Sequence, residues 1–221
     1  MREPALLLAI DAASPRVSVA AGRGGEVLSE RAVEIERSSA RLIDLIGEVL
    51  SEAGARPADL GGVVALRGPG SFTGLRVGLA TALGLHQALG VRATAISTLR
   101  VLSELAGGPG TVVAAVDALR GEWSVQAFNP LSDMQLLPGG EIPRLFPGGT
   151  GTVTGFGVSR LAGLPGWPSG IRLLEGGPLA GTAVRLAAAA EIDWDPGLLV
   201  RPLYSRPPAI TPPRSRDKIG A

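Results

Sequence analysis

Apolar residues recur along this chain in two rhythms. Ala5 to Asp11 (ALLLAID) is apolar at consecutive positions, the pattern of a strand covered on both faces. Arg16 to Ala21 alternates and predicts a second strand. Gly22, Gly24 and Gly25 form a hairpin turn into a third strand over Glu26 to Val33. From Ser38 or Ser39, either of which can cap a helix, the period changes to 3.6 and runs to about Ala53, with Gly54 as the stop. Leu42, Leu45, Ile46, Val49 and Ala53 form its core stripe. Ala40, Ile43, Gly47 and Leu50 widen the apolar or small arc to roughly 220°, about twice the usual stripe. Such a helix is expected to bury two faces, one against its own sheet and one against another domain or subunit.

Gly61 to Arg67 predicts the next strand. Gly68-Pro69-Gly70 breaks it, and a helical pattern follows from Ser71 to about Ala88. Gly68 and Gly70 tolerate a positive φ, and Ser71 is placed to accept a hydrogen bond from a backbone N–H of the first turn. A helix entered through glycines also leaves N–H groups open to an anion. The loop therefore has two readings, a phosphate or partner dock and a tight capped turn. It lacks the Gly-Lys-Ser/Thr ending of a P-loop. Gly74, Gly78 and Gly84 each cost about 1 kcal/mol against alanine inside a helix, which predicts the close approach of another backbone. Val91 to Ile96 is a strand, and Ser97 caps a third helix through Ala106.

Gly107-Gly108-Pro109-Gly110 marks a boundary, after which the order restarts. Thr111 to Ala118 and Glu122 to Asn129 predict a strand hairpin. The stretch 130–150 is weakly patterned. Thr152 to Phe156 is a short strand with a brief helix after it, Ile171 to Leu174 another strand, and Pro178 to Ile192 a helix with proline in its first turn. Arg201 to Arg216 is proline-rich and predicts an extended arm. The expectation is thus an α/β chain with an N-terminal unit over 1–106, a smaller unit over 107–205 and a proline-rich tail over 206–221.

Composition narrows the chemistry. The 221 residues are 45% hydrophobic, enough for a substantial core, and the net charge of +1 gives no strong pull toward nucleic acid or membrane. There is no cysteine, and His86 is the single histidine, so thiol catalysis and paired-histidine metal sites are excluded and no metal site is expected. His86 itself reads as a packing or surface residue. No apolar run reaches membrane-spanning length, and the apolar start is too short for a leader, so a cytoplasmic protein is expected. Of the 21 basic residues all but Lys218 are arginine. With abundant glycine and alanine, this reflects a GC-rich coding bias rather than RNA binding.

Two halves that each repeat a β-β-β-α-β-α order resemble the actin-like (ribonuclease H-like) ATPase superfamily. GPGSFTGLR at 68–76, after a strand and before VGLATALGLHQALG, is similar to the bacterial TsaB (YeaZ) family. AIDAAS at 9–14, VDALRGEW at 116–123 with Asp117, Arg120 and Glu122, and RPLYSRPP at 201–208 match further family motifs. The likeness covers most of the chain and is weak between 130 and 175. It implies two tandem actin-like domains, each a mixed sheet flanked by helices. It also implies a non-catalytic scaffold in the synthesis of N6-threonylcarbamoyladenosine at position 37 of tRNA.

The implied partners are a homologous TsaD-type catalytic subunit, a TsaE-type ATPase and, through the complex, tRNA; alone, the chain would form a homodimer. The family pairs through its first two helices. The interface residues implied here are Leu42, Ile43, Ile46, Leu50, Ser71, Phe72, Thr73, Arg76, Leu79 and Leu83. Asp11, Gly68 and Gly70 are candidate nucleotide contacts. No cofactor is intrinsic, with ATP or ADP and Mg expected only at a subunit interface. Ala12 and Ala13 follow Asp11 where the superfamily's phosphate site has hydroxyl donors, so Asp11 reads foremost as ordering the strand end. Asp117, Arg120 and Glu122 are either a salt network in the hairpin or a docking cluster. Rival readings are a small-molecule kinase of the same superfamily, a peptidase and a structural dimer unrelated to tRNA.

Overall fold

In the computed structural model, residues 4–34, 38–189 and 192–206 are described. Ten strands form two sheets. The first contains β1 (Leu6–Asp11), β2 (Arg16–Arg23), β3 (Glu26–Glu34), β4 (Leu60–Leu66) and β5 (Arg92–Ile96), in the order β3-β2-β1-β4-β5. The second contains β6 (Val112–Asp117), β7 (Glu122–Phe128), β8 (Gln135–Pro138), β9 (Gly151–Gly155) and β10 (Ile171–Glu175), in the order β10-β9-β6-β7-β8. Read from the other edge, the second order is the first repeated. In both sheets the opening strands pair antiparallel and the later ones parallel. The parallel strands are entered through crossovers, and their residues are apolar on both faces.

The halves differ in what covers those sheets. In the first, α1 (Ser38–Glu52) and α2 (Phe72–Leu89) lie on one face. Leu8, Ile10, Val19, Leu45, Val49, Val63 and Leu79 close the core between them. In the second, the equivalent places hold short 3-10 turns, Gly139–Leu145 and Val158–Gly163, packed around Trp123, Ile142, Phe146 and Val153. The expected brief helix after Phe156 is the second of these turns. The weakly patterned 130–150 contains β8 and the first, where Pro143 removes an N–H that a longer helix would need.

The remaining helices cross over. α3 (Thr98–Ala106) follows β5 but packs on β6, β7 and β9. α4 (Ala180–Ala188) follows β10 but lies across β1, β2, β3 and β4. The first sheet supplies the partners for the first turn of α4. Ser18 Oγ accepts from the N–H groups of Leu179 and Ala180 at 3.2 and 3.1 Å, and the Glu30 carboxylate accepts from Gly181 N–H at 2.8 Å. This helix is shorter than the expected 178–192: Pro178 lies before its first turn, and it ends at Ala188.

The chain then returns along the open edge of β5. Thr94 Oγ1 donates to the Asp193 carbonyl at 2.8 Å, Trp194 covers Gly62, and Leu203 N–H donates to the Arg67 carbonyl at 2.6 Å. Of the expected arm, residues 201–206 form neither helix nor strand and bend at Ser205 and Arg206, while the rest of the tail and the Ser38 and Ser39 caps lie outside the described residues and side chains. Among the described residues no helix is long and apolar enough to cross a membrane.

Candidate functional site

The glycine loop closes on the chain itself. Ser71 N–H donates to the Ala13 carbonyl at 2.8 Å, and Ser71 Oγ accepts from Gly74 N–H at 3.2 Å, so Ser71 caps α2 as its position predicts. A side chain at Gly70 would put its Cβ 2.5 Å from the Ala13 carbonyl oxygen, and one at Gly74 would reach 1.8 Å from that of Ala12. The close approach foreseen for the helix glycines is therefore internal at Gly74 and Gly78, where α2 rests on the loop after β1; Gly84 faces open space. Gly68 has φ +99°, and its missing side chain makes room for the Leu203 carbonyl.

Asp11 ends β1 just before this contact. It is fully buried, and its Oδ1 accepts from Ala13 and Ser14 N–H at 3.0 and 3.1 Å, while Oδ2 has no partner. Burial pushes its carboxyl up to about 6, against the opposing pull of Ser14 and the two N–H groups. It orders the strand end and does not line the cleft above.

That cleft, of about 580 Å³, opens between the two sheets. Gly70 and Ser71 line it from the first half, Asp117, Phe156 and Arg160 from the second. Arg16 pairs with Glu34 at 3.2 Å on its rim. Its walls are mainly apolar, with Ala13, Pro15, Pro69 and Val116 among them.

The hairpin residues do not form one network. Asp117 Oδ1 accepts from Leu119 N–H at 2.8 Å and its Oδ2 pairs with Arg160, whose guanidinium lies 4.6 Å from the centre of the Trp123 ring. Glu122 pairs instead with Arg206. Arg120 is exposed at the turn, with φ 59°, and joins neither pair.

Three separate motifs nevertheless meet. Phe72, at the first position of α2, stacks on Tyr204 with ring centroids 5.2 Å apart. Arg76, one turn on, sits 4.1 Å from the Phe72 ring centre and donates through Nε to Tyr204 Oη at 3.5 Å. Arg206 carries the chain on to Glu122 in the second half. Tyr204 and Arg206 belong to the RPLYSRPP motif matched in the sequence, whereas Arg160 has no motif or pattern around it.

The implied interface residues separate into two groups. Leu42, Ile46, Leu50 and Leu79 are buried in the chain's own core, and Leu83 packs partly against it. The second apolar face expected of α1 thus loses Leu50 to the interior. What stays outside is Ile43 (63% exposed) with Gly47 on α1, and Phe72 (46% exposed), Thr73 and Arg76 on α2. His86 is a packing residue, its Nδ1 2.6 Å from the Val91 carbonyl.

A family model described as "TsaD: tRNA N6-adenosine threonylcarbamoyltransferase" matches residues 4–132. The chain is 33% identical over 119 residues to the tRNA threonylcarbamoyladenosine biosynthesis protein TsaB of Escherichia coli, covering 52% of each. It is 31% identical over 120 residues to the TsaB of Bacillus subtilis, again covering 52% of each. The match spans about half the length of these curated relatives. Among solved structures, YeaZ from Pseudomonas aeruginosa superposes with a TM-score of 0.68 at 25% identity, over 84% of this chain and 92% of that one. A second Pseudomonas aeruginosa protein, described as similar to peptidase YeaZ, gives 0.71 at 25% identity over 91% and 100%. The two-sheet architecture is that of these neighbours, an actin-like two-domain α/β fold.

Proposed function

The chain belongs to the TsaB (YeaZ) family, and from that premise we propose that it is a non-catalytic scaffold for threonylcarbamoyl transfer to adenosine 37 of tRNA, acting by pairing with a TsaD-type catalytic subunit. The observation that carries this reading is the exposed strip on α1 and α2. Ile43 on α1 and Phe72 on α2 are exposed, and Gly47 and Gly84 on the same two helices have no heavy atom within 4 Å of a notional Cβ. A partner helix can approach such a strip closely and cover its two large apolar side chains, each worth about 1.5–3 kcal/mol when fully buried. Arg76, held over Phe72, supplies a cation at the rim.

A passive role also agrees with the first-strand loop. Ala12 and Ala13 offer no hydroxyl to a phosphate, and the loop is pressed against α2. ATP or ADP with Mg, in this reading, is held between subunits. A TsaE-type ATPase and tRNA join through the complex, and a homodimer forms on the same strip when the partner is absent.

The test is size-exclusion chromatography of the chain mixed with the TsaD-type protein of its own organism. A co-eluting complex is expected, and separate elution of two folded proteins would sink the scaffold reading. Ile43→Asp combined with Phe72→Asp is expected to weaken association at least ~100-fold while circular dichroism stays unchanged. An unaltered complex would show that the contact lies elsewhere. Leu42 is unsuitable for this test, because a charge there enters the core.

A further inference from the structure

The open edge of the first sheet carries another cavity, of about 320 Å³, which shares no lining residue with the cleft between the sheets. Ala95 and Ile96 of β5, Leu186 of α4 and Leu198 of the Pro196–Val200 turn give it apolar walls. Arg67 and Arg100 also line it.

Arg67 is half-buried, yet its guanidinium makes one hydrogen bond, from Nη1 to the Arg201 carbonyl at 3.3 Å, and pairs with no carboxylate among the described residues. Most of its donor fork is unused, in a setting where an uncompensated cation is costly. Burial, and then the charge of Arg201, pull its pKa down, so the surroundings as they stand disfavour the charged form. Arg100, in the first turn of α3, reaches to Glu104 at 3.7 Å and lies 6.0 Å from the centre of the Phe128 ring. Ser97 precedes that helix without capping it, and its hydroxyl has no partner. Asp193 is the one carboxylate among the described lining residues.

Among its described lining residues the cavity thus has more positive than negative charge, unused donors on Arg67 and an apolar wall. We propose that it binds a small organic oxyanion, a phosphate monoester or a carboxylate with a compact apolar body, with Arg67 as the principal anchor and Arg100 as the second. A planar fork suits the paired oxygens of either group. The apolar body would cover Leu186 and Leu198.

The experiment is calorimetric titration of the full chain with phenyl phosphate, benzoate and inorganic phosphate at constant ionic strength. Saturable one-site binding is expected for at least one of the two organic anions, and weaker binding for inorganic phosphate, which lacks the apolar body. The stronger of phenyl phosphate and benzoate identifies the head group. Arg67→Met should weaken binding at least ~10-fold and Arg100→Gln ~3- to 10-fold, with circular dichroism and thermal unfolding as folding controls. Absence of saturable binding by both organic anions overturns the proposal. So does undiminished affinity in Arg67→Met or, should that variant fail to fold, in Arg100→Gln.

Discussion

Asp11 and Asp117 occupy the same place in the two halves, the last residue of each sheet's first strand, opposite Ser18 in one and Trp123 in the other. Each accepts a backbone N–H two residues on. There the likeness ends. Asp11 is fully buried with one oxygen unpartnered, whereas Asp117 lies at the cleft and pairs with Arg160. The difference follows the packing. Asp11 shares its face of β1 with Leu7 and Ala9, toward α4, whose first turn is bonded to Ser18 opposite it, and so is cut off from water; Asp117 stays open at the cleft and finds a cation. One topology thus holds a closed strand end in the half that offers the exposed strip, and an open one in the half that faces the cleft.

Three variants and a control test that contrast. The largest effect is expected at Gly74. An alanine Cβ 1.8 Å from the Ala12 oxygen must push α2 off the loop, at a cost of about 3 kcal/mol or more, read by urea unfolding. Gly84→Ala, in the same helix but facing open space, is the control and should stabilise by about 0.5–1 kcal/mol. Equal responses at the two glycines would mean that α2 does not clamp the loop.

Next comes Asp11→Asn. The folded carboxyl sits at about 6, above its ordinary 3.8. The stability its protonation contributes is full below the lower value and is lost as pH rises through the higher. At pH 7 the wild type therefore carries a buried charge that asparagine lacks, and the variant should be more stable by about 3 kcal/mol. That advantage should vanish toward pH 4. An advantage that grows on acidification would reverse the assignment.

The smallest effect is Asp117→Asn. It removes a partly exposed ion pair and keeps the acceptor for Leu119 N–H, so a loss below about 1 kcal/mol is expected, smaller still in high salt. A change of the same sign and size as that at Asp11 would erase the distinction between the two strand ends.

Much of this was legible in the residues. The strands announce themselves by alternation or continuous apolar runs, and Ser71 by its place before an apolar period. The width of the α1 arc was also visible, but not its use. Leu50 was assigned to a second, outer face, yet α1 packs against β2, β3 and α2 together, and a helix seated in that corner buries more than one stripe. The glycines of α2 signalled close approach without saying that the approaching backbone was the chain's own. The stacking of Tyr204 on Phe72 had no periodic signature, because it joins residues far apart in sequence. The destination of α4 could not be read from its period, since an alanine-rich face fits either sheet. Hydrogen bonds that Ser18 and Glu30 accept from its first turn settle that choice, and neither residue lies near it in the chain.

The exchange of α3 and α4 has a consequence for synthesis. As the chain leaves the ribosome, β1, β2 and β4 are complete long before α4 exists, so Leu7, Ala9, Ala20 and Val64 have no cover until about residue 188 has emerged. The glycine-rich break at 107–110 looks like a place to cut, but a fragment ending there leaves one side of its own sheet bare. Such a fragment is expected to aggregate rather than fold, and the two halves are obliged to mature together.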